Sequence, residues 1–196
     1  MKRGPKPRIG VRERLIARGL SRMHAVGFTA TGVQEVVAEA GVPKGSFYHY
    51  FDSKEAFAIA VIDAYAAELA APLQALLLDE VTSPTDGLAA YFRESAVQYG
   101  ALGCLLGNFG TEMPGQSEVI RQRLAMHFDA WTRLVGAVLR KAQTAGELDA
   151  AADPDALAAF AVNSWEGAIM RTKVDRSMRP LETFFATFFG GVLRAR

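Results

Sequence analysis

Two groups of residues in this 196-residue chain have types and spacing that could do chemistry. The first is the thiol of Cys104, the only cysteine. A thiol reacts as its thiolate, which requires access and a pKa lowered by a neighbouring cation or a helix N-terminus. Gly103, Leu105 and Leu106 bring no charge, so a cation such as Arg171 or His127 would have to arrive through the fold. Otherwise Cys104 is a small apolar residue that lines a pocket or fills a core. A single cysteine excludes an internal disulfide framework and a cysteine-based zinc cluster. An enzyme built on Cys104 would need a base, and the only histidines are His24, His49 and His127. No paired-carboxylate spacing and no His-Glu-x-x-His string occurs, so no metal or other cofactor is expected.

The second group lies in residues 31–51, TGVQEVVAEAGVPKGSFYHYF. Two short helices joined by a Gly-Val-Pro turn make the pattern of a helix-turn-helix. The second helix presents Lys44, Gly45, Ser46, Tyr48 and His49. Lys44 supplies a point charge for a phosphate, and Gly45 lets the backbone approach a duplex. Ser46, Tyr48 and His49 can donate to phosphates or base edges. Phe47 and Phe51 point the other way and pin this helix to the first two. Thr31, at the start of the segment, and Lys54, just beyond it, complete the expected DNA-contacting set.

The elements that must position these groups are all helical. Leu15, Ile16, Gly19, Leu20, Met23 and Val26 share a face of a first helix that Gly27 should end. Thr29 or Thr31 can cap the next, with Val33, Val36, Val37 and Ala40 inward. Ser53 caps a fourth helix in which Pro72 marks a kink or break. Ser83-Pro84 opens a fifth, and the glycine-rich stretch 100–115 reads as a broken helix or loop. A long helix follows over 116–145, then one from Asp153-Pro154 to about Lys173, then a Phe-rich final helix after Pro180. No strand alternation and no internal repeat is visible.

Charge is divided unevenly along the chain. Residues 1–60 hold ten Lys/Arg against five Asp/Glu, and the remainder holds twelve against sixteen. A basic first third on an acidic body suits contact with a polyanion at one end. Residues 1–8, MKRGPKPR, read as a flexible basic arm that either reaches a minor groove or solubilises the chain. No apolar run suggests a membrane span and the N-terminus has no secretory pattern, so a cytoplasmic, reducing location is expected.

Residues 11–57, and above all GVPKGSFYHYFDSKEAF, resemble the N-terminal domain of the TetR family of repressors. That resemblance implies an all-α fold of about nine helices, with a three-helix DNA-binding domain at 9–52 and a ligand-binding and dimerisation domain at 53–196. It implies a homodimer on a double-stranded DNA operator and a small-molecule inducer. It also implies that Lys44 opens the recognition helix, that Tyr48 and His49 touch DNA, and that Lys54 steadies the backbone. The strings GCLLGNFGTEM, DPDALAAF and WEGAIMRTK resemble a subgroup that contains acrylate-responsive and electrophile-sensing repressors, in which a cysteine at the position of Cys104 is modified.

Two recognition helices about one DNA turn (~34–36 Å) apart would read a palindrome. Phe160, Ile169, Phe184, Phe188 and Val192 offer an apolar dimer interface, or alternatively a core within one subunit. The expected pocket residues are Tyr65, Tyr91, Tyr99, Cys104, Trp131 and Trp165, with Asn108, Glu112, Glu166 and Arg171 as polar anchors. Arg171 would meet a carboxylate ligand unless it pairs with Glu166. A DNA-binding protein without an inducer, and a cysteine-dependent enzyme, are the competing readings.

Overall fold

Capping signals set most of the helix starts. In the computed structural model, which describes residues 10–43 and 45–194, the order is α1 (Val11–Ala30), α2 (Val33–Glu39), α3 (Gly45–Tyr50), α4 (Lys54–Leu78), α5 (Pro84–Tyr99), α6 (Leu105–Glu112), α7 (Glu118–Thr144), α8 (Pro154–Asp175) and α9 (Arg179–Phe188). A short 3-10 turn, Val192–Arg194, follows, and no strand occurs among the described residues. Ser53, Ser83, Ser117 and Asp153 each accept a backbone N–H of the first turn of α4, α5, α7 and α8. Pro84 and Pro154 occupy first-turn positions where no donor is needed.

Three boundaries differ from expectation. The first helix continues to Ala30, but Gly27 breaks it with φ 84 and ψ 174. Residues 28–30 are therefore a separate turn whose leading N–H groups have no partner within α1. Neither Thr29 nor Thr31 caps α2. Gly32 is the cap residue, and its N–H donates to Glu35 Oε2 at 3.2 Å. Thr31 is buried, its hydroxyl donating to Gly27 O at 2.7 Å. Third, α4 runs through Pro72 as one helix. Pro72 is exposed, so water can reach the carbonyl it leaves unpaired, while Leu69, Leu73 and Leu76 hold the opposite face in the core. The stretch 100–115 is a broken helix as expected: α5 ends, the chain turns at Gly103, and α6 follows.

One core runs the length of the molecule. Leu15, Met23, Val36, Phe47 and Phe57 fill the N-terminal end, and Leu88, Phe92, Val135, Leu139, Trp165 and Phe188 the far end. Helix α4 serves both. It packs on α1 near its start and on α5, α6 and α7 further along. Lys141 of α7 donates to the carbonyls of Leu76 (3.0 Å) and Leu77 (3.2 Å) and to that of Asp79, a cation on the negative end of α4. By length and composition α4 could cross a membrane, against the reading that no apolar run was long enough. Here that apolar content packs into protein, with Phe57, Val61, Ile62, Tyr65 and Leu73 all buried.

Candidate DNA-binding face and inducer cavity

Phe47 is the pivot of α3. It is fully buried against Phe51 and Phe57, with ring centroids 5.5 and 5.1 Å away. Pinning that face turns Tyr48 (59% exposed), His49 and Tyr50 (41% exposed) outward, with Ser46 half-buried. A Cβ built on Gly45 meets nothing within 4 Å, so nothing inside the fold requires glycine there. Lys44 lies outside the described residues, as do residues 1–9 of the expected arm. Arg22 of α1 locks α2 in place through 2.6 Å ion pairs to Glu35 and Glu39.

Two of the expected DNA contacts point elsewhere. Thr31 is buried, so its hydroxyl is not available to a phosphate. Lys54 donates to Thr29 O at 3.3 Å and stands 4.4 Å above the Phe28 ring. Burial lowers its pKa, and nearby Glu112 partly restores it.

That corner is a junction between the two ends of the molecule. Glu112, expected as a pocket anchor, is instead the last residue of α6. Its carboxylate accepts the free N–H groups of Phe28 (2.9 Å) and Thr29 (2.7 Å). Gly27 makes this possible twice over: its φ is positive, and a Cβ there would lie 2.7 Å from Glu112 Oε2. Burial raises the Glu112 pKa, but the Thr29 and Phe28 hydrogen bonds and the Lys54 charge outweigh it, and the net shift is downward. At the opposite end of α6, His24 of α1 hydrogen-bonds Gly103 O at 2.6 Å. Burial lowers the His24 pKa, so the ring is neutral and donates to that carbonyl. Helix α6 is thus tied to α1 at both ends.

The same helix forms one wall of a cavity of about 430 Å³. Cys104, Gly107, Asn108 and Thr111 line it from the α6 side, Phe128 from α7, and Asn163, Glu166 and Ile169 from α8. Cys104 is buried at the N-cap of α6, and the Tyr65 hydroxyl donates to its Sγ at 3.7 Å. Burial pushes the thiol pKa well up, and the Glu166 charge adds to it. Among the described residues Glu166 has no ion-pair partner, and its Oε1 is shielded from solvent without a hydrogen bond. Burial pushes its pKa up to about 7. Asn108 turns its amide to Leu102 O at 2.9 Å. A second, smaller cleft of about 200 Å³ lies between α4 and α7, lined by alanines, Leu106, Trp131, Asp63 and His127. Asp63 there pairs with both Arg123 and His127 at 2.7 Å.

Of the expected pocket residues, Cys104, Asn108 and Glu166 line the larger cavity and Trp131 the smaller. Tyr65 backs Cys104 from the core, and Tyr91 and Tyr99 are buried beside it. Trp165 belongs to the aromatic core, 5.0 Å from Phe92 and 5.6 Å from Phe184, and lines neither cavity. Arg171 faces outward and pairs with Asp175 at 2.8 Å, so it meets neither Glu166 nor Cys104. The i,i+4 spacing of Arg171 and Asp175 was the signal for that pair. Among the five expected interface residues, Phe160 is 47% exposed and Val192 half-buried, whereas Ile169, Phe184 and Phe188 are buried within the subunit. Met170, Val174 and Met178 continue the exposed apolar stripe of Phe160 along and just beyond α8, a helical spacing readable in the sequence.

A small helix-turn-helix head on a larger helical body with its own cavity is the architecture of a DNA-binding transcription regulator. Two family models match: "Bacterial regulatory proteins, tetR family" over residues 15–61, and "Tetracyclin repressor-like, C-terminal domain" over residues 84–188. The chain belongs to the TetR family of bacterial transcription regulators. It is 40% identical to the transcriptional regulator AcuR of Cereibacter sphaeroides, covering 89% of this chain and 81% of that one. It is 34% identical to the transcriptional repressor DhaR of Mycobacterium sp. strain GP1, covering 95% and 94%. Among solved structures, the reduced form of Escherichia coli NemR superposes with a TM-score of 0.83 at 31% identity, covering 92% and 96%.

Proposed function

We propose that this regulator is a cytoplasmic repressor that binds a palindromic operator as a homodimer. In this reading it lets go when a small unsaturated carbonyl compound enters the cavity beside Cys104. Helix α3 reads the major groove with Ser46, Tyr48 and His49, and Gly45 allows close approach. Lys44 adds a phosphate contact. The partner is a second copy of the chain. Two short helices are needed to read enough base pairs, and the exposed Phe160, Met170, Val174 and Met178 stripe on the α8 side supplies an apolar face for pairing.

The observation that carries the inducer reading is the position of α6. The helix walls the cavity with Cys104, Gly107 and Asn108, and it holds α1 at His24 and at Phe28 and Thr29. A ligand that displaces α6 must pull on the turn just before α2. It shifts the DNA-binding equilibrium only to the extent that it prefers the displaced state. Relatives named as repressors, DhaR and NemR, the latter solved in a reduced form, support a thiol-bearing repressor.

The test is fluorescence anisotropy on DNA from upstream of the gene, titrated with N-ethylmaleimide, methyl vinyl ketone and acrylate. Release by at least one compound, lost in Cys104→Ser with DNA binding retained, is the expected result. Operator affinity unmoved by every compound that binds the protein would overturn the reading.

A further inference from the structure

Among the described residues, the charged group that acts on the thiol in the cavity is a carboxyl group, not a cation. Glu166 reaches Cys104 across the first turn of α6. A Cβ at Gly107 would collide with Glu166 Oε2, and would lie 3.8 Å from Cys104 Cβ. Glycine at 107 therefore opens the space in which the carboxyl group rests against α6. Both residues line the same cavity. Glu166 Oε1 is fully shielded and unpartnered, a polar atom that the resting protein leaves unused. No hydrogen bond of ordinary geometry joins it to Cys104, yet the two are close enough to shift each other's protonation.

Resting on the reading of Cys104 as the site of inducer addition, we propose that Glu166 carries the proton when the thiol adds across the double bond of an α,β-unsaturated carbonyl compound. The Glu166 carboxylate takes the S–H proton as Sγ bonds to the β-carbon. The alkene electron pair moves onto the carbonyl oxygen as an enolate. Glu166 then returns the proton to the α-carbon, which leaves a thioether and a regenerated carboxylate. Nothing is oxidised or reduced, and no other reactant is consumed.

The surroundings make such a relay necessary. A thiol whose pKa is raised by burial holds almost no thiolate at neutral pH, so attack needs an acceptor for its proton. The groups facing the pair come from every neighbouring element. Tyr65 of α4 and Tyr91 and Tyr99 of α5 have hydroxyl pKa values raised by burial and stay uncharged. His24 of α1 is held neutral by burial, and Lys173 of α8 stands beside Gly103. Phe128 of α7, Asn108 and Thr111 of α6 and Asn163 of α8 bring no charge. Glu166, pushed up to about 7, is the member that exchanges a proton near neutrality.

The probe is N-ethylmaleimide, with addition to Cys104 followed by intact-mass spectrometry from pH 5.5 to 9.5 on the full chain. The wild-type rate constant should rise with a midpoint near 7, following Glu166, and then flatten before the thiol itself ionises. Glu166→Gln should lose that midpoint and react about a hundredfold more slowly at pH 7.5, at the lower edge of general acid–base contributions. Glu166→Asp should keep a midpoint at reduced rate. A Gln variant as fast as wild type or faster would overturn the proposal, since the carboxylate would then act only by repelling the thiolate. A second measurement needs no variant: the wild-type plateau rate should fall in deuterium oxide, because the S–H proton is in transfer to Glu166 at the transition state. An unchanged or higher rate, as for a preformed thiolate, would also overturn it. No labelling of wild type at any pH would defeat the sensor reading and this one together, whereas labelling with an unaltered Glu166→Gln profile defeats the proton relay alone.

Discussion

Replacing Glu112 with alanine cuts one of the two ties between α6 and α1, and its size can be worked from the contacts. The carboxylate accepts two backbone N–H bonds, at 2.9 and 2.7 Å. Charge-assisted bonds contribute about 1.5–3 kcal/mol each, and partial exposure of Glu112 argues for the lower end, about 3 kcal/mol for the pair. For a chain of this length ~2–4 °C per kcal/mol gives a fall in Tm of about 6–12 °C. Coupling between ligand and DNA sites is commonly ~1–3 kcal/mol, or 5–150-fold in affinity, so a lost tie of this size is enough to erase it. The ratio of operator Kd with and without the most effective inducer should therefore fall close to one. Operator anisotropy and thermal circular dichroism on the same preparation read both effects. The sign with pH is fixed as well. The folded pKa of Glu112 is depressed, so its stabilisation is complete above its unfolded value of about 4.3 and is lost as pH falls through the folded value. The Tm gap between wild type and variant should thus narrow in acid. A variant that loses stability but releases DNA by the full wild-type factor would refute the idea that α6 transmits the signal through this corner.

Phe47→Ala should destabilise the protein by about 3–5 kcal/mol in urea unfolding, because it empties the pivot under α3. The exposed His49→Ala and Tyr48→Ala should leave stability within ~0.5 kcal/mol while weakening operator binding. Lys44→Ala should weaken binding to all duplexes and flatten the salt dependence by about one unit, as read by Kd against salt concentration. Burial raises the folded pKa of Glu166 to about 7, so the folded state binds more protons than the unfolded one between its ordinary value and 7. Its contribution therefore makes stability fall as pH rises through that window. The stability difference between Glu166→Gln and wild type should grow in the variant's favour from pH 5 to 8 in chemical unfolding.

The DNA-binding head was legible because its signals are local. Gly41 and Pro43 punctuate two short helices, and Phe47 and Phe51 stand on the face opposite Tyr48 and His49 whatever the rest of the chain does. The helix count, the Ser and Asp caps and the break near Gly103 are local in the same sense. The exposed apolar stripe was half legible: the periodicity of α8 marks an apolar face at Phe160, Met170 and Val174, yet Phe184 and Phe188 have the same composition and lie inside.

Periodicity tells which side of a helix is apolar but not which helix covers it, so the sequence by itself determined the elements and the outward polar face of α3, and little of the cavity. Cys104 and Glu166 belong to different helices and meet only because α6 lies against α8 at Gly107. Glu112 finds Phe28 from 84 residues away because Gly27 frees an N–H that nothing nearby can accept. Arg171, expected at the cavity, is turned outward by α8 to Asp175. Such meetings are fixed by how helices stack, where a rotation of one rod by a quarter-turn exchanges one set of partners for another, and only the tertiary structure decides that.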